Sequence, residues 1–221
     1  MTGIEEELER AKDIWAASEF YTNAENSTEY FWDPETPFGR LLEDIDLKGY
    51  VLEFACGHGR HTEILVRHAK KVIFSDLIHR NVDLTLSRLA GSKNAVGYHS
   101  DGKSLSFCKS SSIDTVFSFG DMIFMSPDLI ELYLRDIYRV LKVGGRAILH
   151  HSNVDADLAS FSALGGRFRM TCEKFASMSE DVGFSVVRQA TVDHSLAPAL
   201  DGLTIVEKPG LKLKMRRSKR R

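Results

Sequence analysis

The sequence is poor in cysteine and proline, with three and five of them in 221 residues. Cys56, Cys108 and Cys172 are odd in number and follow no metal-type spacing. Neither a disulfide scaffold nor a cysteine-held metal is expected, and a reducing, cytoplasmic setting is. No stretch approaches the roughly 20 apolar residues that a membrane span needs. The opening MTGIEEELERAKDIW is acidic and amphipathic, unlike the apolar run of a secretory leader. Internal repeats and low-complexity linkers are lacking too.

Basic charge is concentrated at one end. Residues 211–221 carry Lys212, Lys214, Arg216, Arg217, Lys219, Arg220 and Arg221 without a single Asp or Glu, although the net charge is −2. The rest of the chain is therefore acidic, which argues against broad nucleic-acid binding. The basic end reads as a solvated, disordered tail, with nucleic acid or anionic lipid as its conceivable partners.

What is present is an alternation of strand-like and helix-like segments, the mark of βαβ units and a parallel sheet. Residues 3–19 form a helix with Ile4, Leu8, Ala11, Ile14 and Trp15 on one stripe. Residues 20–35 read as irregular and aromatic, and Pro37 opens a short helix to Leu42. Strands are expected at Tyr50–Phe54, Lys71–Ser75, Ala95–Tyr98, Ile113–Phe119 and Arg146–His150. Helices are expected over 59–69, over 79–89, and from Ser126 and Pro127 to Gly144-Gly145. Thr171 caps a helix to Gly183, and strands follow over 184–192 and 203–207. Only a short connection joins these two, whereas a parallel crossover needs about a dozen residues or more, so they should pair antiparallel. The domains expected are an N-terminal helical cap (1–44), an α/β domain (45–210) and the basic tail (211–221).

The most informative segment is Val51-Leu52-Glu53-Phe54-Ala55-Cys56-Gly57-His58-Gly59-Arg60-His61-Thr62. A strand enters a tight turn in which Gly57 and Gly59 let a ligand lie against the backbone, and a helix follows. A dinucleotide loop would read G-x-G-x-x-G, and here Thr62 holds the third position. Glu53 places a carboxylate beside the loop, which favours a cationic sulfonium or ammonium group over a pyrophosphate.

Glu53-Phe54-Ala55-Cys56-Gly57-His58-Gly59 resembles motif I of the class I S-adenosylmethionine-dependent methyltransferases, E/D-x-G-x-G-x-G, with Ala55 in place of the first glycine. The likeness extends over roughly 45–208, through Asp76, Ser100-Asp101-Gly102, Ile113–Ser118 and the run from Tyr138 to Arg146. It implies a Rossmann-like, mainly parallel seven-stranded sheet with helices on both faces and an antiparallel final strand. It also implies S-adenosylmethionine as cofactor, held by Glu53, Ala55, Gly57 and Gly59. Asp76, with Leu77 beside it, would meet the ribose hydroxyls, Asp101 and Gly102 the adenine, and the backbone near Ser118 the methionine end. Asp114 starts its strand and reads as structural.

Ligands of open α/β sheets bind beyond the carboxyl ends of the strands. Methyl transfer needs alignment of donor and acceptor and, for many acceptors, removal of a proton. The candidate bases are His150 and His151, of which one should face the site, and Asp121. His58, His61 and His194 are weaker candidates. The segment 152–170, with Phe161 and Gly165-Gly166, reads as a lid. Of the aromatic run Tyr21, Tyr30, Phe31 and Trp32, Tyr30 and Trp32 are the expected cap over the cofactor, since aromatic faces suit a sulfonium. No metal-ligand spacing is seen. The expected acceptor is a small molecule such as a sugar, metabolite or natural product. An RNA methyltransferase using the basic tail and a non-catalytic binding subunit are the alternatives.

Overall fold

The computed structural model describes residues 3–16, 18–155, 167–192 and 199–210. The basic tail, His194 and most of the expected lid, with Phe161 and Gly165-Gly166, lie outside the described residues.

Four helices precede the sheet: α1 (Gly3–Trp15), α2 (Phe20–Ala24), α3 (Thr28–Trp32) and α4 (Pro37–Leu42), with a single 3₁₀ turn, Glu25–Ser27, between α2 and α3. The segment read as irregular is thus mostly helical. Its helices are only five residues long and show no apolar periodicity of their own. What fixes them is tertiary: Phe31 and Phe38 are buried in the core beneath the sheet. Thr36 caps α4 by accepting from the Gly39 N–H, with Pro37 at the first helical position.

The α/β body runs β1 (Tyr50–Phe54), α5 (Thr62–His68), β2 (Lys71–Asp76), α6 (His79–Arg88), β3 (Ala95–His99), β4 (Ile113–Met122), α7 (Pro127–Val140), β5 (Leu141–Ser152), α8 (Cys172–Val182), β6 (Ser185–Val192) and β7 (Asp201–Glu207). Seven strands form one sheet in the order β3-β2-β1-β4-β5-β7-β6. The first five are mutually parallel, while β7 pairs antiparallel with both β5 and β6.

Alternate strand residues feed two cores, as a sheet covered on both faces requires. Leu52, Val116, Leu149 and Val206 face a cluster that includes α7 and α8. Val51, Phe117, Ile148 and Ile205 face the opposite cluster, with Leu65, Phe31 and Phe38. Helix α7 starts on Ser126, whose hydroxyl accepts from the Leu129 N–H, and Thr171 caps α8 in the same way through the Lys174 N–H.

Three of the boundaries that differ from the sequence reading coincide with special backbone conformations. Helix α5 starts at Thr62 because Gly59 has φ +79°, outside the helical region. Helix α7 stops at Val140 and β5 begins at once, with Leu141 at ψ 139° and Gly144 at φ +78°, so the Gly-Gly pair lies within the strand. Strand β4 runs on to Met122, past Gly120 at φ +89°.

Candidate functional site

The sheet order reverses direction between β1 and β4, the place where open α/β sheets form their ligand crevice. A cleft of about 1230 Å³ of free space opens there. Its floor is the loop after β1 and the ends of β2 and β4, and its cover comes from α1 and α2.

The loop after β1 is bound to its surroundings from both sides. Ala55, Gly57 and Gly59 all take the left-handed conformation, at φ 54°, 54° and 79°. The Cys56 N–H donates to Ser75 O (3.0 Å), and the Thr85 hydroxyl donates to Gly57 O (3.0 Å). A Cβ on Gly57 would stand 2.8 Å from Cε1 of Tyr21, so glycine lets this ring close over the loop. Tyr21 stacks on His58 with centroids 4.4 Å apart. Its hydroxyl accepts from Asn81 Nδ2 at 3.0 Å.

Three acids from β1, β2 and β4 line this cleft. Glu53 is buried, with Thr62 donating to its Oε2 at 2.5 Å. Burial outweighs that bond and the attraction of Arg60, and pushes the Glu53 carboxyl up to about 8. Asp121 is pushed up to about 7, again chiefly by desolvation, although the Ser118 hydroxyl donates to its Oδ1. Its Oδ2 is shielded from solvent and has no hydrogen-bond partner among the described residues. Asp76 is raised by burial, against the bonds it accepts: Gly57 N–H to Oδ2 (2.9 Å), and Ile78 N–H (2.8 Å) and Asn81 Nδ2 (3.1 Å) to Oδ1. A carboxylate offers about four lone-pair sites, so Asp76 keeps capacity for a ligand hydroxyl. Three desolvated carboxyls around one space form a site that gains from a cation.

Of the residues singled out in the sequence, Glu53, Ala55, Gly57, Asp76, Leu77, Gly102 and Asp121 line this one cleft. Others stand elsewhere. Gly59 packs under the loop, where a Cβ would stand 2.7 Å from Thr85 Cγ2. Asp101 is exposed and held in its own turn, with Oδ1 accepting from the N–H groups of Lys103 and Ser104; its neighbours Ser100 and Gly102 supply the wall instead. Ser118 is fully buried and serves Asp121. Asp114 binds Lys142 and the Tyr50 N–H at the opposite end of the sheet.

The two histidines on β5 are not at the cleft surface. Both are fully buried. His151 stacks on Phe175 (3.8 Å) and meets Thr204 Oγ1 and Ser152 O, each at 2.7 Å. Burial drives its pKa down to about 3. His150 stacks on Phe119 at 4.2 Å, and its Nδ1 accepts from the Gly120 N–H. Phe119 and Gly120 line the cleft, so His150 stands one layer behind its wall. The aromatic cap is also displaced. Tyr30 is 51% exposed and packs edge-on to Phe38. Trp32 donates to His61 Nδ1 (2.9 Å) and stacks on Phe117, beneath the wall. The rings that do cover the cleft are Trp15, Phe20 and Tyr21.

Sequence reasoning passed over Arg60, Tyr133 and two of these rings, Trp15 and Phe20, and ranked Tyr21 behind Tyr30 and Trp32. Tyr133 carries only the signal of a core position on the α7 stripe, yet its ring stacks on Phe54 (4.7 Å) and reaches the cleft. Arg60 directly follows the motif, and that position was its one signal in the sequence.

No helix among the described residues is long and apolar enough to cross a membrane. Residues 51–145 match the family model of a methyltransferase domain. No curated protein matches the chain. Solved structures share the fold at low identity. A chain of the complex between the Haloferax volcanii Trm112 methyltransferase activator and a methyltransferase superposes with a TM-score of 0.70 at 16% identity, over 89% of this chain and 96% of that one. The cyclase SpnF gives a TM-score of 0.65 at 16% identity, over 77% and 80%. An S-adenosylmethionine-dependent methyltransferase from Aquifex aeolicus gives 0.62 at 17%, over 82% and 93%. The fold expected from motif I therefore holds: the mixed seven-stranded sheet matches the Rossmann-like fold of these structures, and residues 51–145 match a methyltransferase-domain model.

Proposed function

We propose that this chain, built on a methyltransferase domain, binds S-adenosylmethionine in the cleft between β1 and β4 and methylates a small-molecule acceptor. The observation that carries the reading is the convergence of Glu53, Asp76 and Asp121 from three strands onto one cleft. Such a site discriminates against a pyrophosphate and favours a ligand bearing sulfonium and ammonium charge.

The residues present fit that donor. Asp76 would hold the ribose hydroxyls with its remaining lone pairs. Leu77, Ile78, Ser100 and Gly102 would flank the base, and Glu53 with the Ala55–Gly57 backbone the amino-acid end. When bound, S-adenosylmethionine supplies a methyl group on a good leaving group. The chain's own part is alignment, exclusion of water by Trp15, Phe20 and Tyr21, and proton removal. Asp121 Oδ2 suits that last role. Its pKa near 7 is matched to neutral pH, and it faces the cleft without a hydrogen-bond partner among the described residues. The cover of α1 and α2 over the cleft supports a small acceptor over a macromolecular one.

Fold likeness does not choose the reaction, since SpnF is a cyclase. Two measurements do. Asp76→Ala should weaken S-adenosylmethionine binding more than tenfold in calorimetry, and an unchanged affinity would remove the ribose assignment. Labelled donor incubated with a deproteinised metabolite extract should yield a labelled small molecule by mass analysis. Binding without transfer to any fraction would make the chain a non-catalytic cofactor-binding subunit.

A further inference from the structure

Arg60 is a buried cation in the wall of an acid-lined cleft. Its Nη1 donates to Ala24 O (2.6 Å), Ser27 Oγ (3.1 Å) and Thr28 Oγ1 (3.5 Å), all neutral oxygens. Among the described residues, no hydrogen bond leaves from Nε or Nη2, and no carboxylate lies within ion-pair distance.

The two nearest acids are engaged elsewhere. Glu25 binds Arg88 through both oxygens, at 2.7 and 2.9 Å. Glu53 takes the Thr62 hydroxyl. Burial is accordingly the largest influence on the Arg60 guanidinium and lowers its pKa. A buried guanidinium without a paired anion is costly, and a bidentate carboxylate or phosphate is what its fork geometry fits.

Arg60 attracts Glu53 but forms no ion pair with it among the described residues. It reaches away from Asp76, toward α2 and α3, and lies 5.7 Å from the Phe119 ring on the β4 side. We infer that Arg60 is the anchor for an anionic group of the methyl acceptor, a carboxylate or phosphate on a small molecule whose apolar body lies against Phe119. The inference rests on the proposed donor site and names the acceptor class for it. The acids then hold the cationic donor and the arginine holds the anionic acceptor, so each ligand brings the charge that its part of the cleft lacks.

The test uses the full chain, labelled S-adenosylmethionine, and a deproteinised, nuclease-treated extract split on an anion exchanger. Methyl transfer should occur to the retained, anionic fraction, at least tenfold above the uncharged flow-through. Arg60→Met should raise the apparent KM for that fraction at least tenfold while S-adenosylhomocysteine affinity stays within threefold by calorimetry. Arg60→Lys keeps the charge but not the fork and should fall between the two; it also serves if Arg60→Met fails to fold. Transfer confined to the flow-through would overturn the inference. So would a Met or Lys variant that loses S-adenosylhomocysteine binding in step with acceptor KM, since the arginine would then serve the donor. A wild-type chain that binds no S-adenosylhomocysteine would instead overturn the donor site itself, and the two failures are thereby told apart.

Discussion

The backbone N–H of Gly120 donates to Nδ1 of His150 at 3.1 Å. The bond ties a residue at the cleft wall to a side chain that is fully buried behind it. It also sets the ring's state, because Nδ1 accepts only when it carries no proton. Burial lowers the His150 pKa, against the pull of Asp201, whose Oδ2 lies 3.6 Å from Nε2. His150 thereby anchors the turn that leads to Asp121. His150→Phe keeps a ring against Phe119 and removes the acceptor, so it should cost about 1–3 kcal/mol in chemical denaturation. Residual turnover should keep the wild-type pH profile. A lost acid limb would return His150 to the role of base.

The β1–β2 side of the cleft was legible because its residues follow one another along the chain. Strand, left-handed loop and helix are adjacent in sequence, and Asp76 ends the next strand, so Glu53, Gly57 and Asp76 are fixed by local order. The antiparallel finish followed from connection length. Burial depth was not legible. His150 and His151 alternate faces as a strand dictates, but both faces of β5 are covered, by Phe119 on one side and Phe175 on the other. The cover over the cleft was misplaced for a related reason. Tyr21 and Tyr30 look alike in a stretch without periodicity, and only the packing of Phe31 and Phe38 into the core decides which ring faces the ligand.

The acids make donor affinity depend on pH. The carboxyls of Glu53 and Asp121 sit at about 8 and about 7, above their ordinary 4.5 and 3.8. A raised carboxyl contributes stability below its unfolded pKa and loses it as pH rises through the folded value. A cationic ligand favours the charged form and reverses that loss. S-adenosylmethionine affinity should therefore climb between pH 6 and 8, by at most about tenfold per unit for each proton released. Calorimetry in two buffers of different ionisation enthalpy counts those protons. Glu53→Gln should flatten the climb, and a wild-type affinity that is level across this range would refute the charge argument.

Ala55 stands where the loop's backbone asks for glycine. Its φ of 54° is left-handed, a conformation that crowds Cβ against the next carbonyl and costs an ordinary residue about 1 kcal/mol or more. Glycine removes the crowding but adds freedom to the unfolded chain, so the two effects partly cancel. Ala55→Gly should raise stability by about 0.5–1 kcal/mol, or roughly 2 °C in a thermal melt. A lower melting temperature would mean that the Ala55 methyl contributes packing worth more than the strain.

Tyr21 and Tyr30 offer the sharpest separation of the observed cover from the expected one. Tyr21 lies against Gly57, stacks on His58 and lines the cleft. Its hydroxyl is held by Asn81, which also holds Asp76, so ring and acid share one support. Tyr21→Ala opens the cover and frees Asn81, and should weaken S-adenosylhomocysteine binding at least tenfold. Tyr30 is 51% exposed and borders Phe38. Tyr30→Ala should leave binding within twofold and stability within about 0.5 kcal/mol, the usual range for a surface substitution. Calorimetry on both variants, with a melt to confirm folding, decides the matter. Equal losses would mean that the cover acts as one body and that neither ring meets the ligand individually.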